Sequence, residues 1–232
     1  MSEVAEAYYK GLVTFMGVEL AVAPGALVPR SETELLAQTA LEILNSMQLP
    51  APRVIDMCTG SGNLACAIAH HVPTATVWSS DLTDGCVSVA RRNVHKLELG
   101  ARVHVAQGDL FQGLSAFALE GSIDVIVCNP PYISQKRLEG DRAELLTDEP
   151  REAFDGGPYG LSIHQRVVKD ALPYLREGGV LAFEIGLGQE RQVKILFERA
   201  KAYEDIRLIE TSQGVVRVVL GRKKRAESRV EP

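Results

Sequence analysis

The chain is poor in the features that would mark a metal-binding, secreted, membrane-spanning or duplex-binding protein. Its four cysteines, Cys58, Cys66, Cys86 and Cys128, form no Cys-x-x-Cys pair, and no histidines stand at zinc spacing beside them. Neither a zinc cluster nor a disulfide framework is expected, and no metal is assigned. No apolar run approaches the roughly 20 residues that a membrane-spanning helix needs. The first six residues are acidic and lack an apolar signal core, which with thiols read as reduced predicts a cytoplasmic protein. Positive charge is not in excess. With 25 Lys and Arg against 30 Asp and Glu the net charge is −5, so the field that proteins set against duplex phosphates is missing and nucleic acid is disfavoured as a partner. The one basic cluster, Arg222-Lys223-Lys224-Arg225, is diluted by Glu227 and Glu231 and reads as a solvated tail over 222–232. Repeats, low-complexity tracts and linkers long enough to separate large domains are all missing.

What remains is an alternation of elements sufficient for one well-buried domain. A β-leaning stretch over 12–22, interrupted at Gly17, predicts a ribbon within a short N-terminal segment, residues 1–30. Ser31 followed by Glu34 reads as a capping box, and Leu36, Ala40, Ile43, Leu44 and Met47 then recur on one helical face. A helix is therefore predicted from Ser31, opening a main domain over 31–221. Apolar strand-like runs follow at 53–57, 75–80, 102–106, 123–128, 180–185, 206–210 and 215–220. Helical stretches lie between them, at about 64–71, 84–99, 162–176 and 188–202. That alternation predicts an α/β fold, a doubly wound, mostly parallel seven-stranded sheet of Rossmann-like kind, ending in an antiparallel hairpin. The polar stretch 133–160, long and without periodicity, reads as a functional loop or lid.

Two stretches carry chemistry. The run 123–128 ends in Asn129-Pro130-Pro131-Tyr132. Consecutive prolines lack N–H groups and hold the chain extended, so Asn129 and Tyr132 are presented at the carboxyl end of a strand, where open α/β sheets bind ligands. The Asn129 side-chain oxygen and the Pro130 carbonyl are two neighbouring acceptors able to grip one planar NH2 group, and Tyr132 can lie against the plane that carries it. The second stretch is the glycine loop Cys58-Thr59-Gly60-Ser61-Gly62-Asn63 after the first main strand. It loosely fits a dinucleotide loop, but Asp56 just before it disfavours a pyrophosphate and suits a cationic ligand. S-adenosylmethionine meets both conditions. Thr59, Gly60, Gly62 and Asn63 would approach its amino acid end, Asp81 with Leu82 its ribose, and Asp109 with Leu110 its adenine edge, with Asn129 beside the methyl group.

The combination of Asp56, Asp81, Asp109 and Asn129-Pro130-Pro131-Tyr132 resembles the class I S-adenosylmethionine-dependent methyltransferases that act on amino groups. More narrowly, it is similar to the protein-glutamine methyltransferases of release factors and ribosomal proteins, often called HemK-like. The segment Leu27-Val28-Pro29-Arg30-Ser31-Glu32-Thr33-Glu34, the pair Glu149-Pro150, the glycines 156, 157 and 160, and Glu184-Ile185-Gly186 with Gln189 share in that resemblance, which covers the chain from about Tyr9 to Gly221. It implies methyl transfer to a glutamine carboxamide with S-adenosylhomocysteine as product, Asn129, Pro130 and Tyr132 being catalytic. It also implies a substrate wall of Pro29, Arg30, Glu32, Thr33, Pro131 and Tyr132, with Glu34 and Glu149 as further wall candidates, and a translation factor or ribosomal protein as partner. Cys58 stands where the family often has glycine. Members usually carry an N-terminal helical domain that recognises the protein substrate, whereas only about thirty residues precede the first helix expected here. A small-molecule amide or amine and adenine in nucleic acid are the alternative acceptors, and a non-catalytic binding module is the reading of another class.

Overall fold

The computed structural model describes residues 3–147 and 149–226. It opens on a helix that the sequence reading lacks, α1 (Glu3–Lys10). The antiparallel ribbon β1 (Leu12–Phe15) and β2 (Val18–Ala21) follows, turning through Met16 and Gly17 at φ 50° and 75°. Phe15, Val18 and Leu20 are buried in the same core as Leu36 and Ile68, so the ribbon packs as part of the main body.

The capping box expected at Ser31 does not form. Residues Ser31–Thr33 make a 3-10 turn without a side-chain cap, and α2 (Glu34–Met47) continues from it. Glu34 Oε1 instead accepts the Met16 N–H at 2.9 Å. A turn N–H outside any ladder must find an acceptor, and here it takes the carboxylate that the capping box needed. Of the expected helical face, Leu36, Ala40 and Leu44 are buried, while Ile43 and Met47 are partly covered against the same core.

The remaining elements are β3 (Arg53–Met57), α3 (Asn63–His71), β4 (Thr76–Asp81), α4 (Asp84–Lys96), β5 (Val103–Gln107), β6 (Ile123–Cys128), a short α5 (Gln135–Leu138), α6 (Ser162–Asp170), β7 (Leu175–Glu184), α7 (Glu190–Ala200), β8 (Tyr203–Glu210) and β9 (Val216–Lys223). The main sheet has the order β5-β4-β3-β6-β7-β9-β8, with β9 antiparallel to both its neighbours and the other pairings parallel. The mostly parallel seven-stranded sheet with a closing antiparallel hairpin is therefore present. Successive strand residues feed opposite layers, as the two-residue period requires. Val54, Val77, Val125 and Val180 join α2 and α3 on one face; Ile55, Trp78, Ile126 and Leu181 meet α6 and α7 on the other. All six residues of β6 are buried, as a strand covered on both faces requires. The chain runs outward from β3 to β5 and then returns to place β6 on the other side of β3, so the topological switch point lies between β3 and β6.

Among the boundaries that differ from the sequence reading, two bear on how the sheet is built. The helix expected to reach Arg176 stops at Asp170, and β7 begins at Leu175. Leu175 pairs with Ile123 and Val180 with Val125, so the register slips between them; Gly178, at φ 73°, and Gly179 form this bulge rather than a helix stop. A Cβ on Gly179 would lie 2.9 Å from the Ile123 carbonyl, so close approach of the strands demands glycine there. At the other end, Arg222 and Lys223 belong to β9 rather than to a solvated tail. Arg222 donates to the Gly178 carbonyl at 2.8 Å, and Lys223 Nζ to the Leu172 and Leu175 carbonyls at 2.7 Å. The rest of the expected tail, beyond Ala226, lies outside the described residues.

Candidate active site

At the switch point the loop after β3 is held from beneath. Asp56 is fully buried; its Oδ2 accepts the Thr59 hydroxyl at 2.5 Å and the Ala65 N–H at 3.1 Å, while Oδ1 has no hydrogen-bond partner. Burial pushes the Asp56 carboxyl up to about 7 against these two donors, and nearby Asp81 adds to the rise. Asp56 thus pins the loop and does not line the cleft above it, which Thr59, Gly60 and Asn63 do. Gly62 serves packing: at φ 79°, its Cβ would lie 3.2 Å from Ala90 in α4. Cys58 has φ 58°, a left-handed conformation that glycine adopts without penalty.

The cleft extends over β4 and β5. Asp81 Oδ2 accepts the Gly60 N–H at 2.8 Å and Oδ1 the Thr83 N–H at 3.2 Å, so the carboxylate bridges two loops. Leu82 is 59 % exposed although apolar, and it faces this space together with Leu110. Asp109 also borders the cleft, paired with Arg166 at 2.8 Å. The cleft holds roughly 970 Å³ of empty space, its open mouth included.

A second cavity of roughly 1370 Å³, likewise open, adjoins it. Glu32, Pro130, Tyr132, Glu184 and Arg217 line the second cavity, while Leu27, Arg30, Asn129 and Ala153 border both. Asn129 Nδ2 donates to Thr33 Oγ1 at 3.1 Å, leaving Oδ1 as the available acceptor. Tyr132 donates its hydroxyl proton to Glu184 Oε1 at 3.2 Å, and Arg217 Nη2 reaches that same oxygen at 3.2 Å and the Tyr132 oxygen at 3.3 Å. Burial, with the Glu184 charge next, raises the Tyr132 phenol to about 12, so it stays protonated. Gln189 fixes the backbone below, donating to the Tyr132 carbonyl and accepting the Gly186 N–H, both at 2.9 Å.

The glycines of the lid explain themselves by contact. A Cβ on Gly156 would come within 2.8 Å of the Pro131 carbonyl, and one on Gly160, at φ 71°, would overlap the Tyr132 carbonyl. The lid backbone therefore lies directly on Pro131-Tyr132. The lid is also less irregular than its sequence suggests, since Ile133 bridges Asp155, short turns of helix fill the span, and Leu138 and Phe154 are buried. At its end Glu149 accepts the Val28 N–H at 2.9 Å and pairs with Arg30, clamping the segment ahead of α2. Glu149 is thus a buried tie for the wall, and Glu34, bound to the ribbon, is not in either cavity. Arg217 and Glu152 also line the cavities, and Arg166 pairs with Asp109 at the edge of the first; all three were missed in the sequence. For Arg217 a signal existed, a single cation in the apolar run Val215–Val219, which when buried must have an acidic partner.

Among the described residues no group of three or more His, Cys, Asp or Glu is placed to hold a metal ion, and no helix is long and apolar enough to cross a membrane. A nucleotide-type cleft at the switch point, adjoining a second cavity at Asn-Pro-Pro-Tyr, defines a methyltransferase, and a family model described as the methyltransferase small domain matches residues 31–160. The chain belongs to that family and, within it, to the release factor glutamine methyltransferases. A protein of that name from Moorella thermoacetica is 38% identical over 198 residues, spanning 85% of this chain and 68% of its own length. One from Geobacter sulfurreducens is 37% identical over 216 residues, 93% of this chain and 72% of the relative. Among solved structures, a methyltransferase from Pyrococcus furiosus superposes with TM-score 0.61 at 18% identity, over 90% of each chain. The N-terminal domain of human METTL16 in complex with SAH does so with TM-score 0.63 at 16%, over 89% of this chain and 76% of that one.

Proposed function

We propose that this enzyme moves the methyl group of S-adenosylmethionine onto the side-chain amide nitrogen of a glutamine presented by a protein, of release factor or ribosomal protein type. The observation that carries this reading is Asn129, which borders both cavities and has its NH2 end committed to Thr33. The residues of the first cavity fit the cofactor: a glycine loop at a helix start, an exposed apolar Leu82 for a flat base, and the carboxylates of Asp81 and Asp109 for hydroxyl and amino groups. When bound, the cofactor supplies an electrophilic methyl on a cationic sulfur and leaves as S-adenosylhomocysteine. No assigned residue contributes a metal ligand.

An amide lone pair is delocalised into its carbonyl, so the nitrogen must be held in line. Asn129 Oδ1 and the Pro130 carbonyl accept its two N–H bonds and aim it toward the first cavity. Those bonds strengthen as the nitrogen gains positive charge, so they favour the transition state over the ground state. Positioning of this kind can supply up to roughly 7–11 kcal/mol. Tyr132, tied to Glu184 and Arg217, walls the second cavity without giving up its proton. Four free cysteines suit the reducing cytoplasm in which release factors work.

Asn129→Ala is expected to lower turnover by about a hundredfold or more, with cofactor affinity nearly unchanged in calorimetry. Loss of cofactor binding with full turnover of the bound complex would contradict the assignment. Radiolabelled methyl transfer in a lysate, resolved into protein, nucleic acid and small-molecule fractions, tests the acceptor, and label confined to nucleic acid would refute the glutamine reading.

A further inference from the structure

Asp109 is placed by its backbone and aimed by a single partner. It stands at the head of the 3-10 turn Leu110–Leu114, and its carbonyl accepts the Gln112 N–H at 3.2 Å. Leu110 beside it is left-handed at φ 52°, a conformation unfavourable for a residue with a Cβ, and the Ser80 hydroxyl donates to the Leu110 carbonyl at 3.0 Å. Asp109 and Leu110 both border the first cavity. The Asp109 carboxylate leaves its own turn uncapped; its Oδ2 instead accepts Arg166 Nη2 at 2.8 Å. Arg166 comes from α6, one turn beyond Ile163, which lines the same cavity. With the two side chains 43% and 42% exposed, this pair adds little to stability. Its consequence is geometric: with Oδ2 engaged, Asp109 keeps one oxygen, Oδ1, and no longer swings freely about its side-chain bonds.

We propose that Arg166 is a positioning residue that holds the Asp109 carboxylate as a one-oxygen acceptor for the 6-amino group of adenine, and so makes the first cavity select an adenosyl donor over one with a 6-oxo purine. The inference rests on that cavity taking S-adenosylmethionine. An ionised carboxylate only accepts hydrogen bonds. Adenine offers it the hydrogens on N6, whereas a 6-oxo purine sets an oxygen lone pair in the same place. A carboxylate fixed at one oxygen by a guanidinium therefore attracts the first base and repels the second. Freed of Arg166, Asp109 can turn until an oxygen reaches the N1–H of the 6-oxo base, and the preference falls. Leu82 and Leu110, apolar residues of the same cavity, contact either purine alike and leave the discrimination to Asp109. Arg166 is not among the lining residues, so its influence passes through the carboxylate.

The test is calorimetric binding of S-adenosylhomocysteine and S-inosylhomocysteine to the full chain. Wild type should bind the adenosyl compound about tenfold or more tighter. Arg166→Met, which keeps the stem and removes the charge, should cut that ratio about threefold or more, mainly by weakening adenosyl binding, with thermal melting unchanged. Raising NaCl from about 0.05 M to about 0.5 M screens an exposed pair; it should erode the wild-type ratio and leave that of Arg166→Met as it was. In an Asp109→Ala background, where the ratio is already lost, Arg166→Met should change it no further. Arg166→Met with both affinities as in wild type would overturn the inference. So would tighter adenosyl binding, which would make Arg166 a competitor of the base for Asp109, or an equal effect in the Asp109→Ala background. Binding of neither compound by wild type would instead remove the cofactor reading beneath it.

Discussion

Asn129 and Tyr132 are placed by local chemistry, because the two prolines between them force the chain out of the sheet whatever surrounds it. Asp56 is a different case, since its role as a pin below the loop comes from burial that only the folded chain creates. Its carboxyl, ordinarily near 3.8, is raised to about 7 chiefly by that burial. The folded state therefore holds this proton more tightly than the unfolded one, and the associated stability is full below about pH 4 and lost as pH rises through about 7. Melting of the ligand-free protein should show this slope between about pH 4 and pH 7 and level off above it. Asp56→Asn, which cannot ionise, should flatten it by several degrees. A slope unchanged in the variant would mean that Asp56 titrates normally.

At the scale of elements, the lid and β6 are joined through backbone rather than side chains. Gly156 and Gly160 let the lid rest on Pro131-Tyr132, and Gln189 binds the Tyr132 and Gly160 carbonyls from α7's approach. Gly160→Ala adds a methyl group in a left-handed conformation against a carbonyl. It should cost on the order of 2–4 kcal/mol in denaturant unfolding and reduce methyl transfer more than cofactor affinity. Stability equal to wild type would show that the lid can lift away without loss. The same scale explains where sequence reading failed. Glu34 pairs with Met16 of the ribbon and not with its own helix start, and Leu175 joins β7 because Ile123 is there to receive it. Propensity cannot see either partner, 18 and 52 residues away.

For the molecule as a whole, the alternation of strands and helices was legible because both faces of a parallel sheet must be covered, which writes β6 as an unbroken apolar run. The cofactor loop and the Asn-Pro-Pro-Tyr exit were legible for the same reason: each is local in sequence. The second cavity, which we propose takes the acceptor, was legible only in part: Arg30, Glu32, Asn129, Pro130 and Tyr132 line it, whereas Pro29, Thr33 and Pro131, read for the same wall, border the first cavity. Arg217 lies 85 residues from the tyrosine it contacts, and the tie of Glu149 to Arg30, 119 residues apart, could not be read although Glu149 itself was expected near the wall. The helix α1 lacked a signal because a short mixed stretch gains its stability from the body it packs on.

Neither of the two cavities is enclosed, and they meet only along the strip that includes Asn129. Neither ligand has to pass through the place of the other, so the kinetics should be those of a random-order two-substrate enzyme. Initial rates at varied concentrations of both substrates should give intersecting lines, and S-adenosylhomocysteine should compete with the methyl donor alone. An acceptor that binds only after the donor, or product inhibition competitive against both, would mean that the strip is a gate and not a shared wall.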